Sequence, residues 1–322
     1  MNTSDADANA VDADPVSVFA NQGFRLSPSA IDLLRTCPRK FYLSRLARMS
    51  EDNDSPWHFD YGNAVEAGVV SYLTHGSIDQ AIVDAWLRYE DTDSDGSSDK
   101  KCLEGIVAGI QQFAASWPAD EWKVHSTQLG FKLSFDEHLY YCGRIDATLV
   151  NSYTGGFASL ECKTTGLNLS NVDPNYQNSE QAVAYPAVIS YIAQDPTAQY
   201  SGLYSIFRTN KSWVPSVEIK SYPKSRALML EWLMGLKLQY DTLKQYIELE
   251  YWPMYGHSCI KYNRPCYFFG VCHLDHKIQE REQKEPEKFD YEFSFMDMYE
   301  WLTRDTDDES LLDLDGDTGY EW

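Results

Sequence analysis

Two neighbouring stretches of the chain alternate apolar and polar residues, and they constrain the fold more than any other feature. They cover residues 140–150 and 157–163, and the six residues between them are rich in turn formers, including Gly155 and Gly156. Alternation with a period of two is typical of β-strands that bury one face, and a short turn-rich link joins such strands into a hairpin. The sequence therefore predicts a β-hairpin over residues 140–163.

Two acidic side chains face each other across this predicted hairpin. If Val150 pairs with Phe157, Asp146 lies directly opposite Glu161. Like charges directly opposite each other destabilise a strand pair, and a divalent cation held between the carboxylates removes that repulsion. Lys163 lies on the same face as Glu161, one step further along the strand. These residue types together indicate a hydrolytic metal site.

The composition is that of a globular protein with an acidic balance. The chain has 322 residues and a net charge of -22, which favours a small basic groove over a broad basic surface. No stretch approaches the roughly 18 apolar residues of a transmembrane helix, and no secretory signal is recognisable, so we expect a cytoplasmic protein without a membrane partner. The acids concentrate at the two ends, in a leader that is predicted to be disordered and in an acidic tail.

Helix-like and strand-like segments along the chain predict a mixed α/β fold. A loop is expected over residues 166–178, followed by a helix from Ser179, which Pro186 should kink or end. The predicted helices cover residues 61–73, 78–89, 103–117 and 224–250, and the predicted strands cover 122–134, 140–150, 157–163, 200–208 and 213–219.

Several short motifs occur in an order that resembles one nuclease superfamily. In chain order they are Ser27-Pro-Ser29 with Cys37-Pro-Arg-Lys-Phe-Tyr42, Gly62-Asn-Ala-Val-Glu66, Gly143-Arg-Ile-Asp146, Glu161-Cys-Lys163 and Gln181-Ala-Val-Ala-Tyr185. Together they resemble the PD-(D/E)XK nuclease superfamily, in its RecB-like exonuclease branch. The resemblance implies a restriction-endonuclease-like α/β core with a central mixed sheet flanked by helices, a helical N-terminal part and a C-terminal cysteine region.

The resemblance also implies a metal-dependent reaction centre. Glu66, Asp146, Glu161 and the main-chain carbonyl of Cys162 are expected to hold Mg²⁺ or Mn²⁺. Asp146, Glu161 and Lys163 are expected to be the catalytic residues, with the lysine orienting or helping to deprotonate the attacking water.

Two further features concern the substrate and the metal. Gln181 and Tyr185 match a motif that implies contacts to the nucleic-acid backbone, and they lie one helical turn apart. Glu66 departs from the RecB-like branch, which usually has histidine there. A carboxylate suits a hard, oxygen-seeking cation better than imidazole, so the change fits Mg²⁺ or Mn²⁺.

A second metal site is implied by cysteines near the C-terminus. They are Cys259, Cys266 and Cys272. Their layout resembles iron–sulfur members of the RecB-like branch, the AddB-type helicase–nucleases and the CRISPR-adaptation nucleases, which place one cysteine before the nuclease core and three after it. The resemblance implies a 4Fe–4S cluster with Cys37 as the fourth ligand. The alternative is a zinc site, made either of four cysteines or of three cysteines and a histidine, with His257 and His273 beside the trio.

These observations predict a domain organisation and a function. Residues 1–23 are expected to be a disordered leader, 24–280 a RecB-like nuclease domain with its iron–sulfur region, and 281–322 a charged extension with an acidic tail. We expect a DNA exonuclease that acts on single strands or duplex ends in phage or bacterial recombination, replication or repair. The tail is either a solvated disordered segment, or a segment that screens the basic groove or contacts a replication or recombination protein. The alternative is a catalytically weak nuclease fold that binds DNA or a partner.

Overall fold

The computed structural model describes residues 24–46, 57–89, 102–209, 213–261, 264–270, 272 and 291–304. The predicted leader (1–23), the acidic tail (305–322) and His273 lie outside these residues. Within the described ranges, no helix is both long enough and apolar enough to cross a membrane.

A mixed β-sheet forms the centre of the structure. The strands are β1 (Phe24–Leu26), β2 (Trp122–Ser134), β3 (Leu139–Asn151), β4 (Phe157–Thr165), β5 (Tyr200–Arg208), β6 (Ser216–Lys224), β7 (Ile260–Lys261), β8 (Arg264–Pro265) and β9 (Tyr291–Ser294). The main sheet has the order β6-β5-β4-β3-β2-β9, with β1 pairing to β3, while β7 and β8 form a separate small sheet. Neighbours are antiparallel except for β4 with β5, β2 with β9 and β1 with β3.

Helices cover both faces of the sheet. They are α1 (Pro28–Thr36), α2 (Pro38–Phe41), α3 (Trp57–His75), α4 (Ile78–Tyr89), α5 (Leu103–Ser116), α6 (Leu169–Asn178), α7 (Glu180–Ala193), α8 (Arg226–Glu248) and α9 (Phe295–Thr303). A π-helical turn, Tyr42–Leu46, follows α2, and short 3₁₀ turns span Gly256–Ser258 and Tyr267–Gly270. Local sequence sets the start of α7, because the Ser179 hydroxyl accepts a hydrogen bond from the Ala182 N–H at 3.2 Å.

The two helical layers bury separate apolar cores. The first contains buried residues of α1, α7, α8 and α9, and the second contains those of α3, α4 and α5. Leu160 and Cys162 of β4 pack into the second core. Because side chains alternate along a strand, Glu161 and Lys163 project toward the layer that contains α7. The mixed sheet flanked by helices is therefore the fold class that the sequence predicted.

The loop predicted for residues 166–178 is wrong over most of its length, because α6 begins at Leu169. Its polar sequence and Pro174 gave no helical signal. Tertiary contacts supply the stabilisation instead: Asp173 accepts hydrogen bonds from Lys220 and Tyr222, each at 2.6 Å. In addition, the Tyr176 ring stacks on Tyr204.

Pro186 does not end α7, which continues through it to Ala193. Proline cannot donate to the carbonyl four residues earlier, which belongs to Ala182. That carbonyl packs against Gly202 of β5, where an added Cβ would lie only 3.2 Å from its oxygen. The missing side chain gives the helix and the strand room to approach each other.

The last strand predicted for this sheet is displaced along the chain. The sequence placed it at 213–219, but β6 runs over Ser216–Lys224 and includes Pro223. Proline lacks an N–H and is tolerated in edge strands. Because β6 lies at the end of the strand order, Pro223 does not interrupt it.

Residues 291–304 lie beyond the predicted domain limit at 280 and add to the folded core. β9 pairs in parallel with β2, and α9 buries Phe295, Met298, Trp301 and Leu302. Ser294 and Asp297 form a capping box that sets the start of α9.

Candidate metal and nucleic-acid site

The candidate site lies in a gap beside β3. On one edge, β3 pairs with β1 through residues 139–141 and with β4 through residues 147–150. Residues 142–146 lie between these partners and include Gly143, Arg144 and Asp146. An added Cβ on Gly143 would lie 3.0 Å from the ring of Tyr185 on α7. Glycine at this position therefore lets α7 approach the gap.

The two predicted acids meet at the end of the β3–β4 ladder. Val150 pairs with Phe157 as the sequence predicted, and the last pair before the gap is Ala147 with Leu160. Asp146 is 7% exposed and Glu161 is 2% exposed. The Cys162 backbone N–H donates a hydrogen bond to Asp146 Oδ2 at 2.9 Å.

Glu161 has one satisfied and one unsatisfied carboxylate oxygen. Its Oε2 accepts a hydrogen bond from Lys163 Nζ at 3.0 Å. Its Oε1 is buried and has no hydrogen-bond partner among the described residues. A buried acceptor left unpaired costs free energy, so such an atom calls for an explanation. A cation bound at Oε1 would supply the missing partner, and the carboxylate oxygens suit Mg²⁺ or Mn²⁺.

Burial and mutual repulsion shift the acid–base properties of this cluster. Burial raises the pKa of Asp146 well above its ordinary value, and the charges of Glu161 and Glu66 add to the shift. Burial also raises the pKa of Glu161, although Lys163 opposes it. For Lys163 itself, burial lowers the pKa, but Glu161 and Asp146 outweigh it and leave the pKa above its ordinary value. A bound cation would favour the ionised form of both acids.

The structure also brings Glu66 toward the acids. Glu66 lies on α3, and its Oε1 accepts a hydrogen bond from Gln128 Nε2 at 3.4 Å. Across the part of the chain that the structure describes, no group of three or more His, Cys, Asp or Glu side chains is arranged so that it could hold a metal ion. Mg²⁺ commonly needs only one or two carboxylates, with waters and substrate phosphates completing its shell. The donor set of Asp146 and Glu161 fits that mode of binding.

Helix α7 places Gln181 and Tyr185 next to the acids. Gln181 Nε2 donates a hydrogen bond to the Tyr185 hydroxyl at 3.2 Å. Burial raises the pKa of Tyr185 well above its ordinary value, and the nearby Glu161 adds to the shift. The preceding residue, Glu180, accepts hydrogen bonds from Arg35 of α1 at 2.7 Å and from Trp232 of α8 at 2.6 Å. This buried carboxylate fixes the start of α7 against two other helices.

A cavity of about 340 Å³ opens beside these residues. Its lining includes Arg25, Ser27, Ser29, Arg144, Gln181 and Tyr185. The N-terminal ends of α1 and α7 border it, and helix N-termini together with guanidinium groups favour anions. Asp32 and Glu180 also border the cavity, but Glu180 is paired with Arg35. The lining is chemically suited to a phosphodiester backbone.

The predicted cysteine ligands lie in one region without forming a complete ligand set. All four are free thiols. Burial raises the pKa of Cys272, with Cys259 and Cys266 adding to the shift. Cys37 acts in the same direction, whereas Arg39 opposes it. The chain thus places the N-terminal cysteine close to the C-terminal three.

Sequence reasoning did not identify Arg25, Arg144 and Gln128 as parts of this site. Arg144 lies inside the Gly143–Asp146 motif, and Arg25 precedes the Ser27 motif by two residues, so both could have been found by their position. Gln128 carried no signal, because its left-handed backbone, with φ of 53°, is not visible in the sequence.

Comparison with known proteins identifies the family. The family model of the PD-(D/E)XK nuclease superfamily matches residues 25–273. The chain belongs to this superfamily. A search of curated proteins finds no match. Among solved structures, a candidate exonuclease from Eubacterium rectale is similar, with 14% sequence identity, a TM-score of 0.47, and coverage of 84% of this chain and 92% of that one.

Proposed function

We propose that this superfamily member is an Mg²⁺- or Mn²⁺-dependent DNA exonuclease. Asp146, Glu161 and the Cys162 carbonyl would hold the cation, with Glu66 completing or extending its shell. The observation that carries the proposal is Glu161 Oε1, a buried acceptor without a partner in the described structure, next to Asp146 and Lys163. When bound, the cation would neutralise charge on the scissile phosphate and lower the pKa of a water molecule.

Lys163 acts on the attacking water in this proposal. The neighbouring carboxylates raise its pKa in the absence of a cation, and the amine would orient the attacking water, help to deprotonate it, or stabilise the developing charge. Its ion pair with Glu161 at 3.0 Å holds the amine at the gap. Gln181 and Tyr185 position the strand, whose phosphates enter the cavity lined by Arg25 and Arg144.

The test follows product lengths over time on DNA labelled at either end, single-stranded or duplex, with Mg²⁺ or Mn²⁺. We expect shortening from an end, and its loss in Glu161→Gln. Undiminished cleavage by that variant would refute the mechanism. If fragments cut at internal positions appear first, the protein is an endonuclease and not an exonuclease. No cleavage of any DNA by metal-loaded protein would favour the alternative, a nuclease fold that binds DNA or a partner.

We further propose that Cys37, Cys259, Cys266 and Cys272 hold a 4Fe–4S cluster. The grouping of the four thiols supports this. So does Arg39, which follows Cys37 by two residues and donates hydrogen bonds to the carbonyls of Trp252 at 2.9 Å and Cys272 at 3.4 Å. A brown wild-type protein that contains iron, together with a Cys266→Ser variant that lacks the colour, would support the cluster. Colourless protein containing zinc would support the zinc alternative instead.

The cellular setting forms a separate proposal. A RecB-like exonuclease would act in the cytoplasm, in phage or bacterial recombination, replication or repair, with a nuclease domain that begins near residue 24 and includes β9 and α9. The acidic tail would contact a replication or recombination protein. Deleting residues 305–322 tests the last point, since unchanged DNA affinity and unchanged capture of such proteins would exclude a role for the tail.

A further inference from the structure

Gln128 has an unusual backbone conformation in the middle of β2. Its φ of 53° lies in the left-handed region, which residues other than glycine rarely adopt. Among the described residues, the other non-glycine positions with positive φ are Gln194 and Glu250. Both follow the last residues of helices, where this conformation is common. A strained residue inside a strand persists when its surroundings hold it, and such residues cluster at functional sites.

Gln128 lies directly across the sheet from Asp146. Its neighbours Thr127 and Leu129 pair with Ala147 and Ile145, so Gln128 occupies the position between these pairs. At this point the buried side chains of β3 also change from one face of the sheet to the other. Ile145 packs into the first core and Ala147 into the second, although residues two apart share a face in a regular strand. The strained residue therefore coincides with the change that turns Asp146 toward the gap.

The side chain and the main chain of Gln128 each contact the candidate site. The side-chain amide donates to Glu66 Oε1, and the main-chain carbonyl accepts a hydrogen bond from Arg144 Nη1 at 3.4 Å. Because Gln128 lies across from Asp146 and its amide contacts Glu66, Glu66 and Asp146 flank the same residue of β2. Among the three acids of the candidate site, Glu66 is thus the one that accepts a hydrogen bond from the neutral Gln128 amide.

We propose that Gln128 is a positioning residue that holds Glu66 beside the divalent cation that Asp146 and Glu161 would bind. A neutral amide suits this role, because it satisfies one oxygen of Glu66 without cancelling the negative charge that attracts the cation. Lysine at position 128 would neutralise the charge of the Glu66 carboxylate, and glutamate there would repel that carboxylate. The inference rests on the proposed function, since it assumes that a cation binds at these acids.

The test measures Mn²⁺ affinity of the full-length protein without DNA, by electron paramagnetic resonance, and then the exonuclease rate. We expect Gln128→Ala to weaken Mn²⁺ binding by about 10-fold, within the range for residues that orient metal ligands. Gln111→Ala, an exposed glutamine on α5, is the control and should bind as the wild type does. Gln128→Gly separates contact from strain. It should lose the same affinity but melt at a higher temperature than Gln128→Ala, because glycine accepts positive φ.

A double mutant shows whether Gln128 acts through Glu66. In a Glu66→Ala background, replacing Gln128 with alanine should cause no further loss of Mn²⁺ affinity. An additional 10-fold loss there, or wild-type affinity in both Gln128→Ala and Gln128→Gly, would overturn the inference. A separate result would refute the proposed function. If the wild-type protein neither binds Mn²⁺ nor degrades DNA, the exonuclease proposal fails, whatever the Gln128 variants do.

Discussion

The two candidate metal sites of this protein are built in different ways. Asp146 and Glu161 lie on central strands, are almost completely buried, and are held by a backbone N–H and a lysine. The three C-terminal cysteines lie in a bend, a loop and a turn next to short strands and 3₁₀ turns, and they are only half-buried. The regular sheet can form the first site without any ligand. The second has little regular structure to hold it, so we expect its metal to contribute to folding.

The largest expected effect is on catalysis at the carboxylate site. Lys163→Met should lower the DNA cleavage rate by about 10²–10³-fold, the order found when one preorganised donor is removed. The melting temperature should fall only modestly, because the surrounding sheet stays intact and the buried Glu161 can take up a proton when its ion pair with Lys163 is lost. Lys123→Met, an exposed lysine on β2, is the control. A rate equal to the wild type would remove Lys163 from the mechanism, and a collapse in stability would show that this site also depends on its ligands to fold.

A large effect on stability is expected at the cysteine site. Cys266→Ser should destabilise the protein on the order of 3 kcal/mol, comparable with the loss of a cross-link that closes a long loop. Mn²⁺ affinity at the acids should stay unchanged. Cys102→Ser, at the start of α5, provides the matched control. Equal unfolding transitions in urea for the Cys266 variant and the wild type would contradict the contrast between the sites.

A somewhat smaller effect is expected from the link between the cysteine segment and the N-terminal helices. Arg39→Met removes the donors to the Trp252 and Cys272 carbonyls, and hydrogen bonds from a charged group are each worth about 1.5–3 kcal/mol. Because Arg39 is partly exposed, we expect a loss near the lower end of that range. Arg88→Met on α4, whose arginine is exposed, is the control. If both variants unfold at the same urea concentration, Arg39 does not anchor the segment.

The smallest expected effect concerns pH. Burial, Glu161 and Glu66 raise the pKa of Asp146, so the native state binds this proton more tightly than the unfolded chain does. The metal-free protein should therefore lose stability as pH rises from about 4 to that raised pKa, by at most about 1.4 kcal/mol per pH unit for one proton. Urea unfolding is measured at several pH values with a chelator present. The free energy of unfolding should fall less steeply with rising pH in Asp146→Asn than in the wild type. Identical slopes in the two proteins would contradict the shift.

The carboxylate hairpin was predictable because alternation of apolar residues sets both the strands and their register. The predicted pairing of Val150 with Phe157 holds, although the ladder ends at Ala147 with Leu160, one position before the predicted pairing of Asp146 with Glu161. α6 was not predictable, since Asp173 meets its partners on β6 only after the sheet has formed. The left-handed backbone of Gln128 was likewise hidden, because the packing around it, rather than its residue type, imposes that conformation.

The hydrogen bond from the Cys162 N–H to Asp146 has a consequence for the speed and selectivity of ion capture. This hydrogen bond orients the carboxylate, so an arriving ion would meet a ligand that need not search among rotamers. The entropy of fixing that side chain is lost during folding instead. A rigid ligand also tolerates a narrow range of ionic radii, which should make the site discriminate against larger cations such as Ca²⁺.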